Sequence, residues 1–142
     1  MKEQTKRPHE QASQPGATEE IEKSRWNTFL TEFTRENRGA HTRVEVLGSE
    51  VGHQVETEDR PFDGISADIK DTESTVWITF GSTPDDHIAH GIQNATAIRV
   101  RQPVGDSGPA LEVVAQDGTT TLVQLSPPLA YAIPAGSARE SR

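Results

Sequence analysis

Apolar side chains recur along this chain first at helical and then at strand spacing. In residues 24–33, Trp26, Phe29, Leu30 and Phe33 stand at i, i+3, i+4 and i+7, and Ser24 is a good N-cap residue. This predicts one amphipathic helix that buries an aromatic stripe against a sheet. Arg35 and Arg38 suit the negative end of its dipole, and Gly39 suits a left-handed cap. From Thr42 the period becomes two. Residues 42–46, 65–70 and 97–101 each alternate an apolar with a charged face, and residues 54–58 read as a weaker strand at an edge. Residues 76–80, Val-Trp-Ile-Thr-Phe, carry apolar groups on both faces. Asp117-Gly118 predicts a two-residue type I′ turn between strands 110–116 and 119–125. That turn sets Gln116 opposite Thr119, Val113 opposite Leu122 and Glu112 opposite Val123, which leaves both hairpin faces partly apolar.

Strands that follow one another without intervening helices pair antiparallel. The predicted fold class is therefore α+β: one N-terminal amphipathic helix packed on a curled, mainly antiparallel β-sheet, a meander of about six to eight strands. With 142 residues and 32% hydrophobic content there is room for one core. Residues 1–20 have almost no large apolar side chain and predict a disordered N-terminal tail, followed by a single domain over 21–126. Residues 127–142 are rich in proline and predict an extended or disordered C-terminal tail. Within it Leu129, Tyr131 and Ile133 alternate and could strap onto the domain.

Charge and composition narrow the chemistry. Fourteen Lys and Arg against 22 Asp and Glu give a net charge of −8, which repels nucleic acid and anionic membranes. The absence of Cys removes disulfides, thiolate metal sites and cysteine nucleophiles. No secretion signal or membrane-length apolar run is present, so a soluble cytoplasmic protein is expected, and Asn94-Ala95-Thr96 is a fortuitous sequon.

His and carboxylate crowd together at residues 81–91, GSTPDDHIAHG. Three readings are open. Thr83 as N-cap, Pro84 at the first helical position and Asp85 and Asp86 in the first turn form a helix start, which Gly91 would end. On that helix His87 and His90 share a face and, with Asp86, could hold a divalent ion if His41 and His53 converge on it. Alternatively Ile88, His90 and Ile92 alternate as a strand, which separates the two imidazoles. Arg99 and Arg101 share the polar face of one strand and would clamp a carboxylate or phosphate if Trp77 lay beside them. The competing explanation pairs them with acids such as Asp68 or Glu45. Asp63, Asp68, Asp71 and Glu73 crowd together without the spacing of an EF-hand, and no nucleophile elbow, P-loop or dinucleotide fingerprint is present.

Trp26, Phe29, Phe33 and Gly39, "VEVLG" at 44–48, "GISADIKD" at 64–71, "DDHIAH" at 85–90 and "LEVVAQDGTTTLVQL" at 111–125 together resemble a family of small bacterial proteins of unknown function, DUF5335. The resemblance runs from Ile21 to Leu125 and leaves both tails outside. It implies a stand-alone cytoplasmic domain and supplies no activity, cofactor or site residue. The function expected from the sequence is a non-enzymatic binding or protein-interaction module without cofactor. The alternative is a small metal-dependent enzyme or metal-binding protein using His87 and His90. The two-faced strands add the expectation of a homodimer through apolar strand surface.

Overall fold

The period-two segments all pair antiparallel, most of them with the strand next to them in the chain and two pairs with strands far apart in sequence. The computed structural model describes residues 16–48 and 52–126. Along them run β1 (Thr18–Ile21), α1 (Trp26–Asn37), β2 (His41–Gly48), β3 (Gly52–Ile69), β4 (Ser74–Phe80), β5 (Ile88–Ile92), β6 (Ala95–Arg101), β7 (Ala110–Ala115) and β8 (Thr120–Ser126). Spatially they are ordered β1-β6-β7-β8-β2-β3-β4-β5, all antiparallel. β5 and β6 are six places apart in that order, about 29 Å in a flat sheet. Gln93 and Asn94 alone connect them, with Asn94 in the left-handed region (φ 58°). Two linking residues reach only about 10 Å, so the sheet must curl to bring the end of β5 near the start of β6. The mainly antiparallel α+β class expected from the sequence forms, but not as a simple meander with the helix first: β1 precedes the helix, and β1 with β6 and β2 with β8 join strands far apart in the chain.

The concave side of the curl holds one core. α1 contributes Trp26, Leu30 and Phe33, and the strands contribute Phe62, Ile78, Phe80, Ile98, Leu111, Val123 and Leu125, all buried. Trp26 donates its Nε1–H to the carbonyl of Ile21 at 3.0 Å, which ties the helix start to β1. Thr34 closes another gap. Its hydroxyl donates to the Ile65 carbonyl (3.2 Å) and accepts from the Ile65 N–H (3.0 Å), so a side chain stands where a neighbouring strand would on β3.

Several expectations are corrected here. Thr18, Glu19 and Glu20, assigned to the tail, pair with Arg101, Val100 and Arg99 in β1. Residues 1–15 and the segment 127–142, including the Leu129–Tyr131–Ile133 strap, lie outside the described residues. Ser24 is not the N-cap: it lies in a 3-10 turn, Lys23–Arg25, and Arg25 occupies the cap position without a side-chain bond. The separate strands predicted at 54–58 and 65–70 are one strand, β3. Its first part pairs with β2 and its second with β4, and the stretch Pro61-Phe62-Asp63-Gly64 marks the change of partner. There Phe62 donates to Ala40 and accepts from Gly39, so the backbone stays satisfied through the bend.

The hairpin correction matters most. Gly118 N–H bonds to the Ala115 carbonyl, Ala115 N–H bonds to the Thr119 carbonyl, and Gly118 has φ 91°. Gln116, Asp117 and Gly118 therefore form a three-residue loop with a left-handed glycine, not a two-residue type I′ turn. Glu112 stands opposite Leu122 and Leu111 opposite Val123, one residue away from the predicted register. A slip of one moves a strand's side chains to the other face. With the observed register Leu111, Val113, Thr121, Val123 and Leu125 all face the core, and Glu112, Val114, Leu122 and Gln124 lie half-buried on the outside. The two-faced hairpin was a product of the register error.

Candidate binding site

The grammar of residues 83–86 is obeyed, but for one turn only. Thr83 accepts from the Asp86 N–H through both its carbonyl (3.0 Å) and its hydroxyl (3.2 Å), closing the 3-10 turn Pro84–Asp86. The chain then straightens into β5, where His90 pairs with Ile78 and Gly91 with Trp77. The strand alternative for this segment is therefore the correct one. Gly91 is a strand residue, not a helix stop.

This disperses the candidate metal ligands. Asp86 forms an ion pair with Arg60. His87 Nε2 lies 3.0 Å from Asp63 Oδ2. His90 lines a different cleft of about 520 Å³, with Val46, Ile92, Ala115 and Thr121. His53 lies 2.6 Å from Glu45. Among the described residues, no group of three or more His, Asp or Glu side chains is arranged to hold a metal ion.

Arg99 and Arg101 are explained by pairing, though with other partners than the sequence suggested. Arg99 reaches Glu112 at 3.0 Å and Glu20 at 3.4 Å, and its bond to Glu112 raises its already high pKa. Arg101 hydrogen-bonds the side-chain oxygen of Gln124. They line a depression of about 140 Å³ on the outside of β6 and β7, and Trp77 is not part of it.

Trp77 lies instead on the outer face of β4, 44% exposed, between two residues that leave it room. Its cross-strand neighbours are Ser66 on β3 and Gly91 on β5. A Cβ built on Gly91 would come within 2.6 Å of Trp77 Cζ3, so the six-membered ring of the indole rests directly on the bare backbone of β5. On the other side lies a cleft of about 450 Å³ between the sheet and the helix. Trp77, Ser66, Gly64 and Thr79 form its floor, and Thr31, Thr34, Arg35 and Arg38 of the helix side form its wall.

Asp63 closes one end. Its carboxylate accepts from the Thr79 hydroxyl (3.1 Å) and from His87, and Arg38 Nε donates to its backbone carbonyl (3.1 Å). The His87 bond, helped by Thr79 and the Arg38 charge, holds the Asp63 carboxyl below the usual carboxylate range. An imidazole held by a carboxylate is an oriented base. However, the acceptors within reach of the Thr79 hydroxyl are Asp63 (3.1 Å) and the Gly64 carbonyl (3.2 Å), so it is not placed as a nucleophile for His87. Arg35 differs from its neighbours. Arg25, Arg38, Arg43, Arg60 and Arg99 each pair with an acid and Arg101 with an amide, whereas Arg35 makes no side-chain bond among the described residues.

The sequence missed Arg35, Arg38, Asp63 and Gly91 as site residues. Each had a sufficient local explanation as a dipole partner, a turn acid or a helix stop. The available signal was Trp77, the large apolar residue on the wrong side of its strand.

Residues 17–134 match a family model described as "Family of unknown function (DUF5335)". The match begins one residue before β1 and continues eight residues past β8, so it is wider at both ends than the resemblance from Ile21 to Leu125. A curated relative from Aquifex aeolicus (strain VF5), named "Uncharacterized protein", is 31% identical over 111 residues, covering 78% of this chain and 94% of that protein. No solved structure matches. No helix among the described residues is long and apolar enough to cross a membrane.

Proposed function

We propose that this chain, which belongs to the DUF5335 family of unknown function, is a non-enzymatic binding module for a small molecule that joins a flat ring to a carboxylate or phosphate. The observation that carries this reading is the shared cleft of Trp77 and Arg35. Trp77 offers a ring face on a glycine-flattened floor, and Arg35 offers a guanidinium that pairs with no acid among the described residues. Helix-dipole compensation accounts for a charge near Asn37 and contributes about 0.3–1 kcal/mol, but it does not require that charge to share a cleft with an exposed tryptophan. The clamp considered from the sequence, Arg99 and Arg101 beside Trp77, is replaced in this reading by Arg35 beside Trp77.

The magnitudes favour modest affinity. Ring stacking contributes about 1–3 kcal/mol and a charge-assisted hydrogen bond about 1.5–3 kcal/mol. After ordering costs, the net corresponds to dissociation constants on the order of 0.1–1 mM. Trp26 is buried, so Trp77 supplies the responsive emission. Titration with adenosine monophosphate and with benzoate is expected to quench it saturably, and phosphate or adenosine alone to bind at least tenfold more weakly. A phosphate preference shows as tighter binding of the nucleotide, a carboxylate preference as tighter binding of benzoate. Arg35→Ala and Trp77→Ala should each weaken binding about tenfold, with the tryptophan variant followed by calorimetry. Absence of a saturable response to both probes, or binding that survives both substitutions, would overturn the proposal.

A further inference from the structure

The curled sheet has two edges, and they are protected unequally. β1, at one end, carries Glu19 and Glu20, the kind of charge that discourages foreign strands. β5, at the other, reads Ile-Ala-His-Gly-Ile: it contains no Asp, Glu, Lys, Arg or Pro. Its backbone pairs with β4 on one side, and no other strand among the described residues pairs with it on the other. Ile88 is 38% exposed at this edge, and Ala89 and Gly91 are exposed as well. In a chain with 22 acidic residues, a five-residue edge without one is the segment best suited to accept another strand.

We propose that a second copy of this chain pairs here, β5 against β5 and antiparallel, continuing the sheet from one copy into the next. The strand is complementary to itself. Side chains alternate, with Ile88, His90 and Ile92 on the face shared with Phe80, Ile78 and Val76, and Ala89 and Gly91 on the face shared with Thr79 and Trp77. A two-fold axis at His90 places Gly91 opposite Ala89 of the copy, so like faces meet. The Trp77 ring that lies over Gly91 then finds only a small Ala89 beyond it, and the same fit repeats in the other copy. Of the apolar strand surface expected to carry a dimer, Trp77, Val114, Val123 and Leu125, the last two are buried in the core and Val114 is half-buried, which leaves Trp77 exposed. The edge replaces that surface as the contact.

A five-residue edge buries roughly 600–800 Å² in total, below the about 1,200 Å² of stable complexes, so the dimer is weak, with a dissociation constant on the order of 0.1 mM. Two chains of charge −8 repel at low ionic strength, so salt should strengthen the pairing. Sedimentation equilibrium from about 10 µM to 1 mM is expected to show the average mass rising toward twice that of the chain, more steeply in 0.5 M than in 0.05 M salt. Ala89→Lys, an exposed substitution on the edge, should raise the dissociation constant at least tenfold, and Thr18→Lys, the same charge on the β1 edge, should not. Hydrogen exchange of the unmodified chain gives an independent reading: amides of β5 that point away from β4 should become slower as concentration rises. A monomer at 1 mM in both salts would overturn the proposal. So would a dimer indifferent to Ala89→Lys, equal loss with Thr18→Lys, or β5 exchange that ignores concentration.

Discussion

Phe29 and Phe33 occupy the same helix stripe, and the structure gives them unequal shares of the stability. Phe33 is 5% exposed and meets Phe62 edge-on, with centroids 5.9 Å apart and planes at 81°. Phe62 is itself buried at the point where β3 changes partner, so this contact joins α1 to the bend in the sheet. Phe29 lies beside Phe33 at 5.8 Å but is only partly buried, at the rim of the core. Phe33→Ala leaves a cavity that the surrounding strands cannot fill, at a cost of about 3–5 kcal/mol, a large part of the roughly 5–15 kcal/mol holding a domain of this size. Phe29→Ala exposes a site that water already reaches, so the cavity term falls away and about 1–2 kcal/mol of lost burial remains. The sequence alone placed Phe29 in the costly class. Urea denaturation followed by circular dichroism separates the two through midpoint and slope. The double variant should show a coupling of about 0.5–1.5 kcal/mol from the ring contact. Equal costs at 29 and 33, or a Phe33→Ala cost under about 1.5 kcal/mol, would refute this account of how the helix is docked.

Gly81 has φ +119°, and a Cβ there would lie 2.4 Å from the Asp86 carbonyl oxygen, so Gly81→Ala strains the backbone twice and should cost about 2–4 kcal/mol by urea denaturation. Gly91→Ala meets only a movable ring, so its denaturation midpoint should stay within about 1 kcal/mol of the parent while the Trp77 emission maximum shifts; an unchanged spectrum would show that the ring does not rest on β5. Asp63 is held below its ordinary pKa chiefly by its bond to His87, and Glu45 by Arg43 and then His53. Depressed carboxylates stabilise the fold above their unfolded pKa values of about 4 and lose that contribution as pH falls through the folded ones. The urea midpoint should therefore drop between about pH 5 and 2, and less so in an Asp63→Asn, Glu45→Gln variant; parallel profiles would count against the assignment.

The fold was legible where a local period and a single buried face coincide. Trp26, Leu30 and Phe33 announce the helix, and Val44 with Val46 announces β2, because burial on one side repeats at the period of the element. The hairpin was legible in its position but not in its register. A glycine after an aspartate serves a two-residue turn with two left-handed residues, or a three-residue loop with one, and only the bonds at Ala115 distinguish them. That single residue decided whether Val123 and Leu125 faced water or core. It also decided whether the fold needed a second subunit to cover them.

The cleft was hidden for a related reason. Arg35 and Arg38 are read from the sequence as helix-end cations, Asp63 as part of a turn and Gly91 as a stop, and each explanation uses only neighbours within a few residues. Their common feature is non-local: β3 bends at Pro61–Gly64 toward β4, β4 presents Trp77 outward, and the pairing of β4 with β5 brings Gly91 beneath the ring. Residues 81–91, by contrast, attracted attention because His and Asp are adjacent in sequence, yet a strand sends successive side chains to opposite faces. Asp86 closes a 3-10 turn, His87 follows it and only His90 lies in β5, and the three end with Arg60, Asp63 and a separate cleft. In this fold the chemistry that sequence proximity suggested is dispersed where a short 3-10 turn gives way to a strand, and the chemistry that strand pairing assembles comes from residues with ordinary local roles.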